Sequence, residues 1–474
     1  MLNPKAKQVW QYVLPAMLSH VCFSLFSIVD GVFVGNGVGT NALGAIGLVM
    51  PFVNAISALM MLINVGGATI FAIQIGKGDT DAANKVFRHG MLLLLGVSAL
   101  FCIAGVFLTD AICTLFGAGE TFHALAAEYL FWYSIFIIPS GLNMGLQSYC
   151  RNDGAPGLVA ASVFVSTACN VFGDWLLIFP IPWGMKGAAI ATGASQLVAC
   201  LVMLTHFVRK KGILRFGKIK LEGGLVRDII IHGLPEGISQ LSTPITSLCM
   251  NLVLVDMVGD VGVNAYSVIN YAASFFFGVV FGTGEGLQPL LGQSYGARNE
   301  KDLKYYLKAG LLMSFFGSTL VALVYIVFGR GICTLFGADA TTLDYTVSIL
   351  PVYCVGFIVM ALNTMLSAYL YSTERSFQSS VISVLRSIVV NAAVTLLLPR
   401  LFGAEAVWVT FAVYEAIVLV VAVALVKHSE RSAVFFLHLL HQIQNLGLDR
   451  HIQCSSGFVR NQNIGVLLLL LCIL

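Results

Sequence analysis

The seven residues I-C-T-L-F-G-A at 112–118 recur letter for letter at 332–338. The shift of 220 positions that aligns them also pairs Pro15 with Pro235, Ser19 with Ser239, Gly39 with Gly259 and Gly76 with Gly296. It further pairs Gly90 with Gly310, Asn143 with Asn363 and Tyr149 with Tyr369. The chain is therefore an internal duplication, and what one half builds the other builds again.

Composition says what each half builds. Of 474 residues, 58% are hydrophobic and only 10% are charged, and the mean hydropathy is +0.88. So few charges cannot coat a soluble protein of this size, and the same numbers exclude disorder. The apolar runs are continuous and alternate weakly, which argues against a β-barrel. A polytopic helical membrane protein remains. The net charge of +3 gives no support for a nucleic-acid role. The 11 cysteines form no C-x-x-C pair and lie mostly in apolar stretches, as small apolar residues do. The first apolar stretch carries Asp30 and is too long for a cleavable signal peptide.

Twelve apolar segments have helix length: 10–35, 42–74, 88–109, 124–149, 157–180, 186–208, 226–256, 264–292, 304–328, 342–371, 377–398 and 404–426. With this assignment, 20 of the 26 Lys and Arg fall on one side, including the run from Arg209 to Arg227. The opposite loops hold only Lys186, Arg330 and Arg400. The positive-inside rule then places both ends of the twelve-span body in the cytoplasm. Six spans per half return the chain to its starting side, so the two halves share one orientation and are related about the membrane normal. The expected division is an N-terminal bundle (1–208), a basic cytoplasmic linker (209–225), a C-terminal bundle (226–428) and a cytoplasmic or interfacial tail (429–474). Within the tail, Val434, Phe435, Leu437, Leu440 and Ile443 have amphipathic spacing.

An Asp inside a span costs roughly 2.5–3.5 kcal/mol on insertion scales and needs a reason. Asp30 and Asp174 are the clear cases. Asn170 and Asp174 are four residues apart and share a helix face. Helix rise puts Asp30, Asp174 and Thr192 each about 9 Å below the outer boundary, with Asn170 one turn deeper. Two carboxylates, an amide and a hydroxyl on one level suit a hard cation or protons, in competition for one site. The alternative is a polar network that pins helices together. The second-half counterparts are Met250, Asn391, Thr395 and Phe411; only the Asn recurs.

Other polar residues within spans carry both readings. Glu236 follows Pro235 and fits a structural, interfacial position. Glu285, among the glycines of G-T-G-E-G-L-Q-P, and Gln147 fit a substrate cleft. Glu415 and Arg386 fit a pair between neighbouring spans. Asn143 recurs as Asn363 and fits a structural role. Pro15 in the first span permits a kink that would move Asp30. H-E-x-x-H, G-x-S-x-G and the P-loop pattern are absent, so an ion gradient is the expected energy source. The expectation is a carrier with no catalytic residues and no cofactor beyond the coupling cation.

These residues resemble the multidrug and toxic compound extrusion (MATE) family over about residues 5–428. The likeness lies in I-V-D-G-V-F-V-G at 28–35, G-K-G-D at 76–79, N-V-F-G-D-W at 170–175, G-L-P-E-G at 233–237 and Q-P-L-L-G-Q-S-Y-G-A at 288–297. The resemblance implies two six-helix bundles in a V and export of cationic or amphipathic compounds against H⁺ or Na⁺. It implies a cation site at Asp30, Asn170, Asp174 and Thr192, and a bending role for Pro15. It further implies a monomer in the bacterial inner membrane, in contact with lipid. Other members carry a Glu about seven residues after the span-seven Pro, where this chain has Leu241 and Ser242. The alternatives are a flippase of lipid-linked precursors, which would need a cationic cleft, and a membrane-embedded enzyme, for which no histidine pair has ligand spacing.

Overall fold

The computed structural model describes residues 3–209, 212–335 and 340–445, with backbone alone at 40, 121, 271, 272, 275, 335 and 429–445. Every regular element among them is helical. The first half comprises α1 (Pro4–Gly37), α2 (Thr40–Lys77), α3 (Thr80–Phe107), the short α4 (Thr109–Leu115), α5 (Glu120–Ile135), α6 (Ile137–Asn152), α7 (Pro156–Ile178) and α8 (Gly184–Arg209). The second half comprises α9 (Gly223–Ser239), α10 (Ser242–Met257), α11 (Asp260–Gly296), α12 (Glu300–Leu335), α13 (Ala340–Ser372), α14 (Ser376–Val384), α15 (Val390–Phe402) and α16 (Val407–Asn445).

Ten stretches are long and apolar enough to cross a membrane, and α5 with α6, bent by 50° at their junction, makes an eleventh. The 37-residue α11 completes the twelve segments read from the sequence. The bend at Phe136 precedes Pro139, which cannot donate to a carbonyl one turn back. The seventh segment breaks between α9 and α10, five residues after Pro235, whereas α1 runs unbroken through Pro15. The eleventh segment carries one wider turn, Leu385–Val389, between α14 and α15. The repeated heptad lies beyond the third span as α4 and, in its second copy, at the end of α12; residues 336–338 of that copy lie outside the described residues.

The chain is one compact unit through Ala422. Two apolar cores lie within it. One gathers side chains from Val34 to Ile229, around Phe71, Phe87 and Tyr149. The other runs from Met250 to Tyr414, around Phe276, Phe357, Phe411 and Trp408. The side chains of the expected amphipathic tail, from 429 on, and all residues beyond 445 lie outside the described residues.

The two halves meet along α1 with α11, α2 with α9 and α2 with α11. This seam has the symmetry that the duplication demands. A Cβ on Gly76 would stand 2.1 Å from the Gln293 carbonyl oxygen, and one on Gly296 would stand 2.1 Å from the Ile73 carbonyl oxygen. Position 293 is the repeat partner of 73, and 296 that of 76. Likewise Gly66 abuts Gly233, and Gly286 abuts Val13, again at matching positions. Reciprocal contacts of this kind define a two-fold interface. These approaches lie toward the end of the molecule that carries the basic loops. Between lipid-embedded helices, such backbone proximity supplies dispersion contact where no hydrophobic drive exists.

The linker from Gly212 to Glu222 is seated on the first half. Asp153 accepts from the backbone N–H of Ile213 at 2.9 Å and holds His206 at 2.8 Å. Asn84 bonds the Ile213 carbonyl and the Arg215 N–H. Phe216 packs on Phe207 and Phe87.

Candidate ion site and the seam between the bundles

α7 packs along both α1 and α8. Small residues let it approach: a Cβ on Gly173 would lie 3.1 Å from the Ala191 Cβ, and one on Gly37 would overlap Ile178 at 2.1 Å. Asn170 and Asp174 project into these contacts and are fully buried. Asn170 Nδ2 donates a long bond to Thr192 Oγ1, at 3.4 Å. Asp30 faces Asp174 from α1. The four residues singled out in the sequence, on three helices, are thus neighbours.

Their hydrogen bonding is incomplete. Asp30 Oδ1, both carboxylate oxygens of Asp174 and Asn170 Oδ1 are buried with no donor of regular geometry. Buried acceptors normally have partners, because leaving one bare costs roughly 1–3 kcal/mol. Four oxygen acceptors facing inward suit a cation or protons. Among the described residues no three of His, Cys, Asp and Glu gather as a softer metal would require.

The second half makes the contrast. Asn391 Nδ2 donates to Thr246 Oγ1 at 2.5 Å, and Thr395 Oγ1 donates to Asn391 Oδ1 at 3.2 Å. Met250, at the position of Asp30, takes a contact from Thr410 Oγ1 at 3.8 Å. The same frame is closed by neutral partners on one side and left open by two carboxylates on the other.

Tyr129 joins the first-half site without a signal in the sequence. It is buried on α5, close enough to both carboxylates to feel their charge, and stacks on Tyr133 at 5.8 Å. One aromatic among 15 tyrosines in an apolar run gives no reason to choose it.

Glu285 occupies the seam. Its Oε2 accepts from Arg151 Nη1 at 2.7 Å and its Oε1 lies 3.3 Å from His20 Nε2, so one carboxylate of α11 ties α6 and α1. Asn152 Nδ2 donates to Gln288 Oε1 at 3.1 Å, and Gln293 Nε2 donates to the Asn152 carbonyl at 2.9 Å. Lys5 pairs with Asp302 at the same end. Gln147 is half-buried and has no hydrogen bond among the described residues. Glu236 accepts from Gln240 at 3.2 Å. Glu415 takes Arg386 Nε at 2.8 Å and Asn363 Nδ2 at 2.7 Å, the pair read from the sequence with Asn363 added. Asn143 likewise serves packing, donating to Gln196 at 2.8 Å.

Fold and sequence together define a polytopic membrane protein built from two six-span repeats, with a buried cluster of two facing carboxylates in one of them. The sequence pattern of the MatE family matches residues 15–176 and again 235–397, one match per half, and the chain belongs to that family. It is 24% identical to the multidrug export protein MepA of Staphylococcus aureus (strain bovine RF122 / ET3-1), over 90% of this chain and 94% of that one. It is 22% identical to MepA of Staphylococcus saprophyticus, over 89% and 93%. Among solved structures, an outward-facing multidrug resistance MATE family transporter superposes with a TM-score of 0.85 at 22% identity, covering 91% of this chain and 97% of that one. A transporter of the same superfamily from Pyrococcus furiosus, described as having a binding pocket of reverse polarity, superposes at 0.81 with 22% identity, covering 89% and 94%.

Proposed function

We propose that this protein is a secondary multidrug exporter that moves cationic or amphipathic organic compounds out of a bacterial cell against H⁺ or Na⁺. The observation that carries the reading is that Asp30, Asn170 and Asp174 bring together buried oxygens without a donor of regular geometry, where the second half has Met250 and the hydrogen-bonded Asn391 and Thr395. The export activity named for the MepA relatives supports the substrate class. The two-fold seam supports a rocking motion between bundles of residues 1–208 and 226–428, since a symmetric interface of small residues can part and re-form without rebuilding either core.

In this reading H⁺ or Na⁺ enters the acidic pocket and neutralises the facing carboxylates. Repulsion between α1 and α7 falls, and the helices draw together. Drug and ion thereby favour different arrangements of the first bundle, and each displaces the other. Nothing favours a flippase: Arg151 and Arg386 are tied to Glu285 and Glu415, so neither offers a free cation to a phosphate.

The test is efflux of a fluorescent cationic dye from proteoliposomes, with a pH gradient and a Na⁺ gradient imposed separately. Wild type is run beside Asp30→Asn and Asp174→Asn. Dye movement under one gradient, lost at least tenfold in both variants, is expected and names the ion. Movement that survives both substitutions would reduce the acidic pair to helix packing.

A further inference from the structure

A recess of about 430 Å³ lies where the linker crosses the start of α3, lined by Lys85, Arg88, Arg215, Lys218 and Lys220, with Asp81 and Glu222 opposite. Five cations face two carboxylates there. Glu222 is committed to Lys85 at 2.5 Å, and its backbone N–H donates to His89 Nε2 at 3.2 Å. Arg88 Nε donates to the Arg215 carbonyl at 3.1 Å, and Arg215 Nη1 to the carbonyls of Gly212 and Leu214. Those bonds hold the arginines in place and leave their charge unneutralised. Lys218 and Lys220 are exposed and have no ion pair or hydrogen bond among the described residues.

The surroundings are apolar where a soluble loop would be polar. Phe216 is 56% exposed, Leu221 64% and Ile219 39%, so the basic linker shows large hydrophobic side chains beside its lysines. On α3 the exposed apolar surface begins at Leu95 and continues through Leu100, Ile103 and Phe107. Arg88 precedes Leu95 by seven residues, about 10 Å of helix rise. That offset puts the recess at headgroup depth beside lipid-facing wall.

We infer that this recess holds the phosphate headgroup of an anionic phospholipid, with its acyl chains lying along the apolar face of α3. A cationic hollow at the membrane surface attracts anionic headgroups. The exposed Phe216, Ile219 and Leu221 favour a lipid over a free phosphate, because only the lipid covers them. A lipid bridging Arg88 of α3 and Lys218 of the linker would fasten the connection between the two halves. The inference does not depend on what the protein transports.

The experiment is native mass spectrometry of the full-length protein in detergent, with phosphatidylglycerol, phosphatidylcholine or neither added. Wild type is expected to retain one phosphatidylglycerol far better than phosphatidylcholine. Lys218→Gln with Lys220→Gln is expected to lower that retention at least tenfold. Lys301→Gln with Lys304→Gln, in another basic loop on the same side, is expected to leave it unchanged. Equal retention of both lipids, or equal loss in both double variants, would overturn the assignment and leave a solvated basic loop. Displacement of the lipid by glycerol phosphate or inorganic phosphate at comparable concentration would also overturn it, in favour of a soluble phosphate ligand. Should the first double variant fail to fold, Lys218→Arg with Lys220→Arg reads the same claim, since retention there must stay at the wild-type level.

Discussion

Asp174 and Glu415 are buried carboxylates in opposite bundles, and they solve the problem of burial in different ways. Glu415 is neutralised by Arg386 and bonded by Asn363. Asp174 has no regular donor at either oxygen. Removing one member of a buried pair strands the other at a cost of about 3–5 kcal/mol. Arg386→Met is therefore expected to lower the melting temperature of the purified protein by many degrees. Asp174→Asn replaces a buried carboxyl that pairs with no cation, and it is expected to leave melting unchanged or raise it while efflux is lost. A large fall in melting for Asp174→Asn would show that the carboxylate holds the bundle together. The four candidate residues stand out in the sequence because each breaks an apolar run, which is a local property of the chain. Tyr129 was not, since an aromatic in an apolar run looks the same wherever it points. Glu285 was legible as polar but not as a tie, because its partner Arg151 lies 134 residues away and on the other bundle.

Among the elements, the helices on which the proposed rocking bears most are those of the seam. The family-like motifs fall there: Gly76 of G-K-G-D and Gly292 and Gly296 of Q-P-L-L-G-Q-S-Y-G-A all stand against backbone or Cβ of the facing bundle. The next glycine of the first motif, Gly78, closes α2 in the left-handed region at φ 78°, and Asp79 caps α3 by accepting from Ala82 N–H at 2.9 Å. A methyl group at Gly76 meets a carbonyl oxygen, which cannot swing aside as a side chain would. Gly76→Ala is expected to cost about 1–3 kcal/mol by overpacking. Gly96→Ala, where a Cβ meets nothing within 4 Å, is expected to gain about 0.5–1 kcal/mol from helix propensity. Thermal melting of both variants against wild type separates the two. Two features of the elements escape a reading by hydropathy. The bend at Phe136 and the wide turn at Leu385–Val389 leave the apolar content of their spans unchanged. The wide turn carries Arg386 toward Glu415, and single wide turns inside helices often serve to aim one side chain.

At the scale of the whole molecule, rocking requires the bundles to part at the end where they are now joined. Lys77 and Glu374 lie 3.9 Å apart across that end, one the last residue of α2 and the other just after α13. Cysteines at both positions, in a background without the native cysteines, linked by a short bismaleimide, are expected to stop efflux. Each single cysteine treated alike should retain it. Efflux that persists with the bundles tethered would exclude a rocking mechanism that opens this end.

Span number and duplication were determined by the chain alone, and the basic residues give direction as an expectation. Membrane thickness sets how long an apolar run must be, the basic residues mark one side, and a repeat is a comparison of the sequence with itself. None of these needs a distant contact. Only the tertiary structure decided which carboxylates were neutralised and which were left bare. Asp174, Glu285 and Glu415 are carboxyl residues in similar apolar runs, and what separates them is the neighbour that packing of remote helices brings within 3 Å or withholds.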